Sequence, residues 1–146
     1  MRHKSPSTLV IFTAFQAYAD GLDNLRNNGK VAEQLSLAGL RYSVVELADA
    51  GVLSIPGFCV YLSQNPACFA FESEQAVVYA LARLYNQSSV RVVSPERTVY
   101  SEALLPNRET SVHPEGLAEF HDKLPEGYTG GEYVRFAGGA VLVVKA

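Results

Sequence analysis

The chain has no tryptophan, one methionine, two cysteines and three histidines among its 146 residues. Two cysteines are too few for a disulfide-built scaffold. Cys59 and Cys68 both stand in apolar runs and read as buried thiols of a reducing compartment. His3, His113 and His121 are scattered through polar segments at no metal-ligand spacing, so no metal is expected. There is no block of Lys and Arg, and the net charge of −3 argues against a nucleic-acid partner. No apolar run reaches the roughly 20 residues of a membrane-spanning helix, so no membrane partner and a cytoplasmic location are expected. Dinucleotide and phosphate loops, His-Glu-x-x-His and the nucleophile elbow are all missing. The cysteines lie in strand-like runs and the histidines in polar ones, which argues against a Cys–His nucleophile.

What is present is a chain with 48% hydrophobic and 18% charged residues, enough for one compact core. Residues 1–7 read as a flexible tail and 8–146 as a single domain. Met1 to Lys4, an apolar run from Leu9 and Ala17-Tyr18-Ala19 imitate a secretory signal. Gln16 and Tyr18 interrupt that run, however, and it is the most strand-like stretch of the chain, so it is assigned to the fold.

Thr8 to Phe15 is apolar on both alternating faces, the pattern of a central strand covered on both sides, or covered on one side and pressed against another subunit on the other. Asp20 suits a helix N-cap, and Val31, Leu35 and Ala38 share a helical spacing that Gly39 ends. Asn27, Asn28 and Gly29 are weak helix formers and mark a place for a kink. Arg41 to Leu47 is a second strand. Phe58–Leu62 and Ala67–Phe71 read as one interrupted strand region. Val77, Ala80, Leu81 and Leu84 then define a helix from Ser73, its cap, to Asn86, and Val90 to Val93 is another strand. The order strand, helix, strand, strand, helix, strand predicts a ferredoxin-like βαββαβ α+β sandwich, an antiparallel sheet with both helices on one face. Its other face is too apolar to stay wet and is expected to be covered. From about residue 96 to 146 a C-terminal extension is predicted. It comprises a strand at Thr98–Leu105, a long loop over Pro106–Gly130, and a β-hairpin of Glu132–Phe136 with Ala140–Val144.

The polar residues at strand and helix ends are the candidates for chemistry. Thr13 interrupts an apolar strand, Asn24 opens a helix, and Glu46 closes the second strand. Tyr61, Gln64 and Glu72 surround the third. Each has a structural reading as well: a satisfied hydroxyl, a helix-start amide, an edge charge, a core ring with a wet tip. Glu72 and Glu74 also suit a helix start, where acids favour the dipole.

The residues Val10-Ile-Phe-Thr-Ala-Phe15, Asn24 and Asn28 leading into Val31 and Leu35, Tyr42-Ser-Val-Val-Glu46, Ala80-Leu-Ala-Arg-Leu84, Gln87-Ser-Ser-Val90 and Leu124-Pro-Glu-Gly127 together resemble the phage-encoded S-adenosylmethionine lyases, formerly called hydrolases. The resemblance implies a homotrimer of ferredoxin-like, PII-like (GlnB-like) subunits with sites between them, the sister chains hiding the bare sheet face. It implies that the substrate's carboxylate displaces its own sulfonium, giving methylthioadenosine and homoserine lactone and depleting the methyl donor of host restriction-modification. No cofactor is needed for that. The family pairs a Tyr with a Glu eleven residues on. Aligned through the following helix, those places fall near Leu53 and Gln64, whereas Tyr61 and Glu72 keep the spacing and are assigned as catalytic. Thr13, Ala14, Phe15, Asn24, Glu46 and Gln64 are assigned to substrate. The alternative function on the same scaffold is a protein that binds S-adenosylmethionine or an adenine nucleotide without turning it over.

Overall fold

Leu9–Phe12 forms β1, and all four of its residues are buried. Val10 and Phe12 face one apolar cluster and Leu9 and Ile11 another, so this strand has a core on each side. A computed structural model describes residues 7–16, 19–49, 52–62, 69–106, 109–128 and 130–145. After β1 come α1 (Gly21–Leu37), β2 (Arg41–Asp49), β3 (Val52–Tyr61), α2 (Phe69–Leu84) and β4 (Ser89–Val93). Next are β5 (Thr98–Leu104), β6 (Thr110–His121), β7 (Glu132–Phe136) and β8 (Val141–Lys145). Among the described residues these strands close into an antiparallel barrel in the order β1-β3-β2-β7-β8-β6-β5-β4, with β4 returning to β1.

This overturns the ferredoxin-like, PII-like sandwich expected from the sequence. The six elements up to β4 come in the expected order, but their sheet is not open. The strands after residue 97 complete the barrel and cover the face that sister chains were expected to hide. One core lies outside the barrel wall, where Val31 and Leu35 of α1 and Val78 and Ala82 of α2 pack on β1, β3 and β4. The other fills the interior with Leu9, Ile11, Val45, Cys59, Val99 and Leu142. Strands of alternating side chains thus serve both cores.

Local signals in the first half were mostly legible. Asp20 caps α1, its carboxylate accepting from the Asp23 amide at 2.8 Å. Gly39 takes φ +74 just beyond the helix, and Asn86 takes φ 59 beyond α2. α1 runs unbroken through Asn27–Gly29. Other expectations fail. α2 starts at Phe69, so Ser73 lies inside the helix and residues 69–71 are not strand. The loop predicted over Pro106–Gly130 contains the twelve-residue β6. Pro114, Gly116 and the lack of any fully buried position hide the period-2 pattern there. Residues 1–6 of the proposed 1–7 tail, Ala17-Tyr18, Gln64, Cys68 and the side chains of Leu53 and Glu72 lie outside what is described.

Candidate functional site

The C-terminal end of β1 and the start of β4 open one mouth of the barrel onto a cavity of about 590 Å³. That size lies within the range of small-molecule sites, about 300–1,000 Å³. An eight-stranded barrel has room for side chains and one small ligand, so such a mouth is a natural place for a site. Its floor is apolar, with Ile11, Leu47 and Val134, and its wall carries Thr13, Ser89 and Ser101.

Arg91 stands at the centre. It occupies an inward position of β4, opposite Ile11 on one side and Ser101 on the other. Its Nε donates to Glu115 Oε1 at 3.0 Å and its Nη2 to Glu115 Oε2 at 3.3 Å, a two-pronged pair. Nη2 also donates to Glu132 Oε2 at 3.1 Å. Burial works against the guanidinium charge, but the two carboxylates outweigh it and hold the Arg91 pKa above its ordinary value. One cation faces two anions, so the mouth carries one negative charge in excess.

Glu115 reaches Arg91 because β6 is irregular at that point. Val99 pairs with Gly116 while Tyr100 pairs with Pro114, which leaves Glu115 as an extra residue without a partner on β5. A bulge of this kind re-aims a side chain, and here it delivers a carboxylate to the mouth. Sequence reasoning missed Arg91, Glu115 and Glu132. The signals were an arginine inside the Val90-Arg-Val-Val93 strand and a Glu between Pro and Gly.

The residues singled out from the sequence fall in several places. Thr13 lines this mouth; its hydroxyl donates to the Pro56 carbonyl at 2.6 Å and accepts from the Phe15 amide at 3.0 Å. Ala14 is fully buried in the outer core. Asn24 is only 6% exposed. Its Oδ1 accepts from the Gln16 amide at 2.8 Å, and its Nδ2 donates to the carbonyls of Gln16 and Ala19, so the amide ties the loop before α1 to the helix. Glu46 projects outward on β2 and pairs with Arg135 of β7 at 3.6 Å. Tyr61 lies at the other end of the barrel, opposite Leu9 and Arg41, with its hydroxyl 2.8 Å from Ser43 Oγ. Burial pushes the Tyr61 phenol above its usual pKa, against the lowering effect of Ser43. From Pro56 to Tyr61 along β3 is about 17 Å at 3.4 Å per residue, so Thr13 and Tyr61 do not share a pocket.

Cys59 is fully buried in the barrel interior, and burial pushes its thiol up to about 12. A thiol held protonated in this way is no nucleophile at neutral pH. Among the described residues no group of three or more His, Cys, Asp and Glu is placed to hold a metal, and no helix is long and apolar enough to cross a membrane. Comparison with protein-family models gives no match, and comparison with curated proteins gives none either.

Proposed function

We propose that this chain binds a small cationic or zwitterionic metabolite in the Arg91 mouth of the barrel and that, on the sequence resemblance, the ligand is S-adenosylmethionine, which it cleaves as a lyase. The observation that carries the reading is the ligand-sized cavity in which one guanidinium is outnumbered by two carboxylates. The sulfonium would face the acid excess, with Glu132 the better placed since its side chain is 66% exposed and only partly engaged. The ligand's carboxylate would meet Arg91 and the hydroxyls of Ser89 and Ser101.

The chemistry asked of the protein is small. A carboxylate oxygen of the substrate forms a bond to its own γ-carbon while the carbon–sulfur bond breaks. The bonding pair leaves with sulfur, so methylthioadenosine departs neutral beside homoserine lactone. No protein nucleophile is consumed. The site must hold the chain in the attacking conformer and keep water away, since charges are neutralised as the bond forms. A homotrimer in the cytoplasm remains part of this reading, drawn from the resemblance alone.

Incubating the purified chain with S-adenosylmethionine and assaying methylthioadenosine tests the lyase. Calorimetry in parallel tests binding alone. Glu132→Gln and Glu72→Gln run side by side decide between the barrel mouth and the Tyr61–Glu72 pair. Turnover lost only in Glu72→Gln would move the site out of the mouth. Binding without product leaves a sequestering protein, and neither binding nor product ends the proposal.

A further inference from the structure

The opposite end of the barrel holds a second cavity, of about 340 Å³, with a different chemistry. It is lined by Leu9, Tyr61, Arg97, Phe120 and Phe136, so three of its walls are aromatic rings. Phe120 and Phe136 stand 6.4 Å apart at 41°, leaving a slanted pair of ring faces. The Arg97 guanidinium lies over the Phe120 ring, 4.5 Å from its centroid. The interior core of Ile11, Val45, Val99 and Leu142 separates this cavity from the Arg91 mouth.

Two features set Arg97 apart. It holds φ 69, a left-handed conformation that L side chains avoid and glycine accepts. It does so in the turn between β4 and β5, its amide bonded to the Ser94 carbonyl and its carbonyl to the Ala118 amide. Glycine would meet that backbone at lower cost, so the arginine here carries a backbone strain that its side chain must offset. Among the described residues no carboxylate pairs with it. The charge over the ring is therefore available to an anion.

We infer that this second cavity binds a flat aromatic ring carrying an anionic group, the ring against Phe120 and Phe136 and the anion on Arg97. Stacking between aromatic and guanidinium planes suits any π-face, and the fixed cation selects for charge. Nucleoside monophosphates and aromatic carboxylic acids both have this chemistry. The inference is independent of what occupies the Arg91 mouth.

The test is calorimetric titration of the whole chain with adenosine 5′-monophosphate, with indole-3-acetate, and with neutral adenosine. Binding of either anion, with adenosine at least tenfold weaker than the monophosphate, supports the site, and the pattern of the two anions identifies the source. Arg97→Gly is the decisive variant because glycine relieves the backbone. Its melting temperature is expected to hold or rise while anion affinity falls at least tenfold. S-adenosylmethionine titration of the same variant is expected to be unchanged, which separates this site from the other mouth. No binding of either anion at millimolar concentration overturns the inference. So does equal binding of adenosine and the monophosphate, or unaltered affinity in Arg97→Gly.

Discussion

The hydroxyl of Tyr79 on α2 donates to the carboxylate of Glu102 on β5, and both residues are buried. Gln75, one turn earlier on the helix, donates to the same hydroxyl at 3.1 Å. This is a polar clasp inside an apolar seam, joining a helix of the first half to a strand of the second. A carboxylate at that depth is tolerable only while its donor is in place. Tyr79→Phe keeps the ring and removes the donor, and it is expected to cost about 1–3 kcal/mol of stability. Glu102→Gln, which replaces the charge with a neutral group of the same shape, is expected to cost less. Urea unfolding of the two variants checks the order.

Alkaline pH is expected to weaken the fold. Burial, followed by the neighbouring Glu102, pushes the Tyr79 phenol well above the usual value of 10.0, and burial raises the Cys59 thiol from 9.0 to about 12. In both cases the folded chain keeps a proton that the unfolded chain releases. The contribution is full below pH 9 and is lost as the pH rises through the folded values. The urea midpoint should therefore fall steadily above about pH 9. Cys59→Ala should show a shallower fall over the same range, whatever its stability at neutral pH. A midpoint flat to about pH 11 in the parent chain would contradict these assignments.

Arg91→Met leaves Glu115 and Glu132 facing each other across the barrel mouth. The arginine side chain is 22% exposed and Glu132 66%, which puts the loss between that of a surface pair and a buried one, about 1–2 kcal/mol. Adding Glu115→Gln should restore part of it. A double-mutant cycle is expected to give a larger coupling for Arg91–Glu115 than for Arg91–Glu132, since the former is two-pronged and less exposed.

Gly57 is expected to tolerate no side chain. A methyl group there would stand 2.9 Å from the Phe12 carbonyl oxygen and 3.1 Å from Leu47 Cγ. The first contact is backbone in the doubly buried strand and cannot swing aside. Gly57→Ala should cost about 1–3 kcal/mol, read as a lower melting temperature. Asn24→Ala should lose a similar amount, because the Gln16 amide and the Ala19 carbonyl forfeit their partner and the Gln16 carbonyl keeps only the Ala19 amide.

The sequence reveals elements better than their arrangement, and these residues show why. Capping at Asp20, the turn at Gly39 and the left-handed Asn86 are local, each read within a few residues. Barrel closure is not local: Val45 must find Phe136, and nothing near either residue records it. The alternation in β1 signalled two buried faces correctly, but a second subunit and a second half-barrel leave the same pattern. The site was less legible still. Thr13 and Tyr61 look equivalent as polar residues at strand ends, and only the register places them at opposite mouths. Glu115 depends on a one-residue irregularity, which shifts a side chain from one face to the other without changing composition.

The seam between β2 and β7 also bears on how the molecule is made. Since Val45 pairs with Phe136, about ninety residues later in the chain, a nascent chain can form its early helices and hairpins well before it can shut the barrel. Assembly is then governed by long-range pairing, the slow kind, with timescales of about milliseconds to seconds. Until β7 and β8 arrive, the greasy inner side of the first strands stands open to the solvent. Newly synthesised protein should accordingly depend on dilution or a chaperone far more than the finished barrel does.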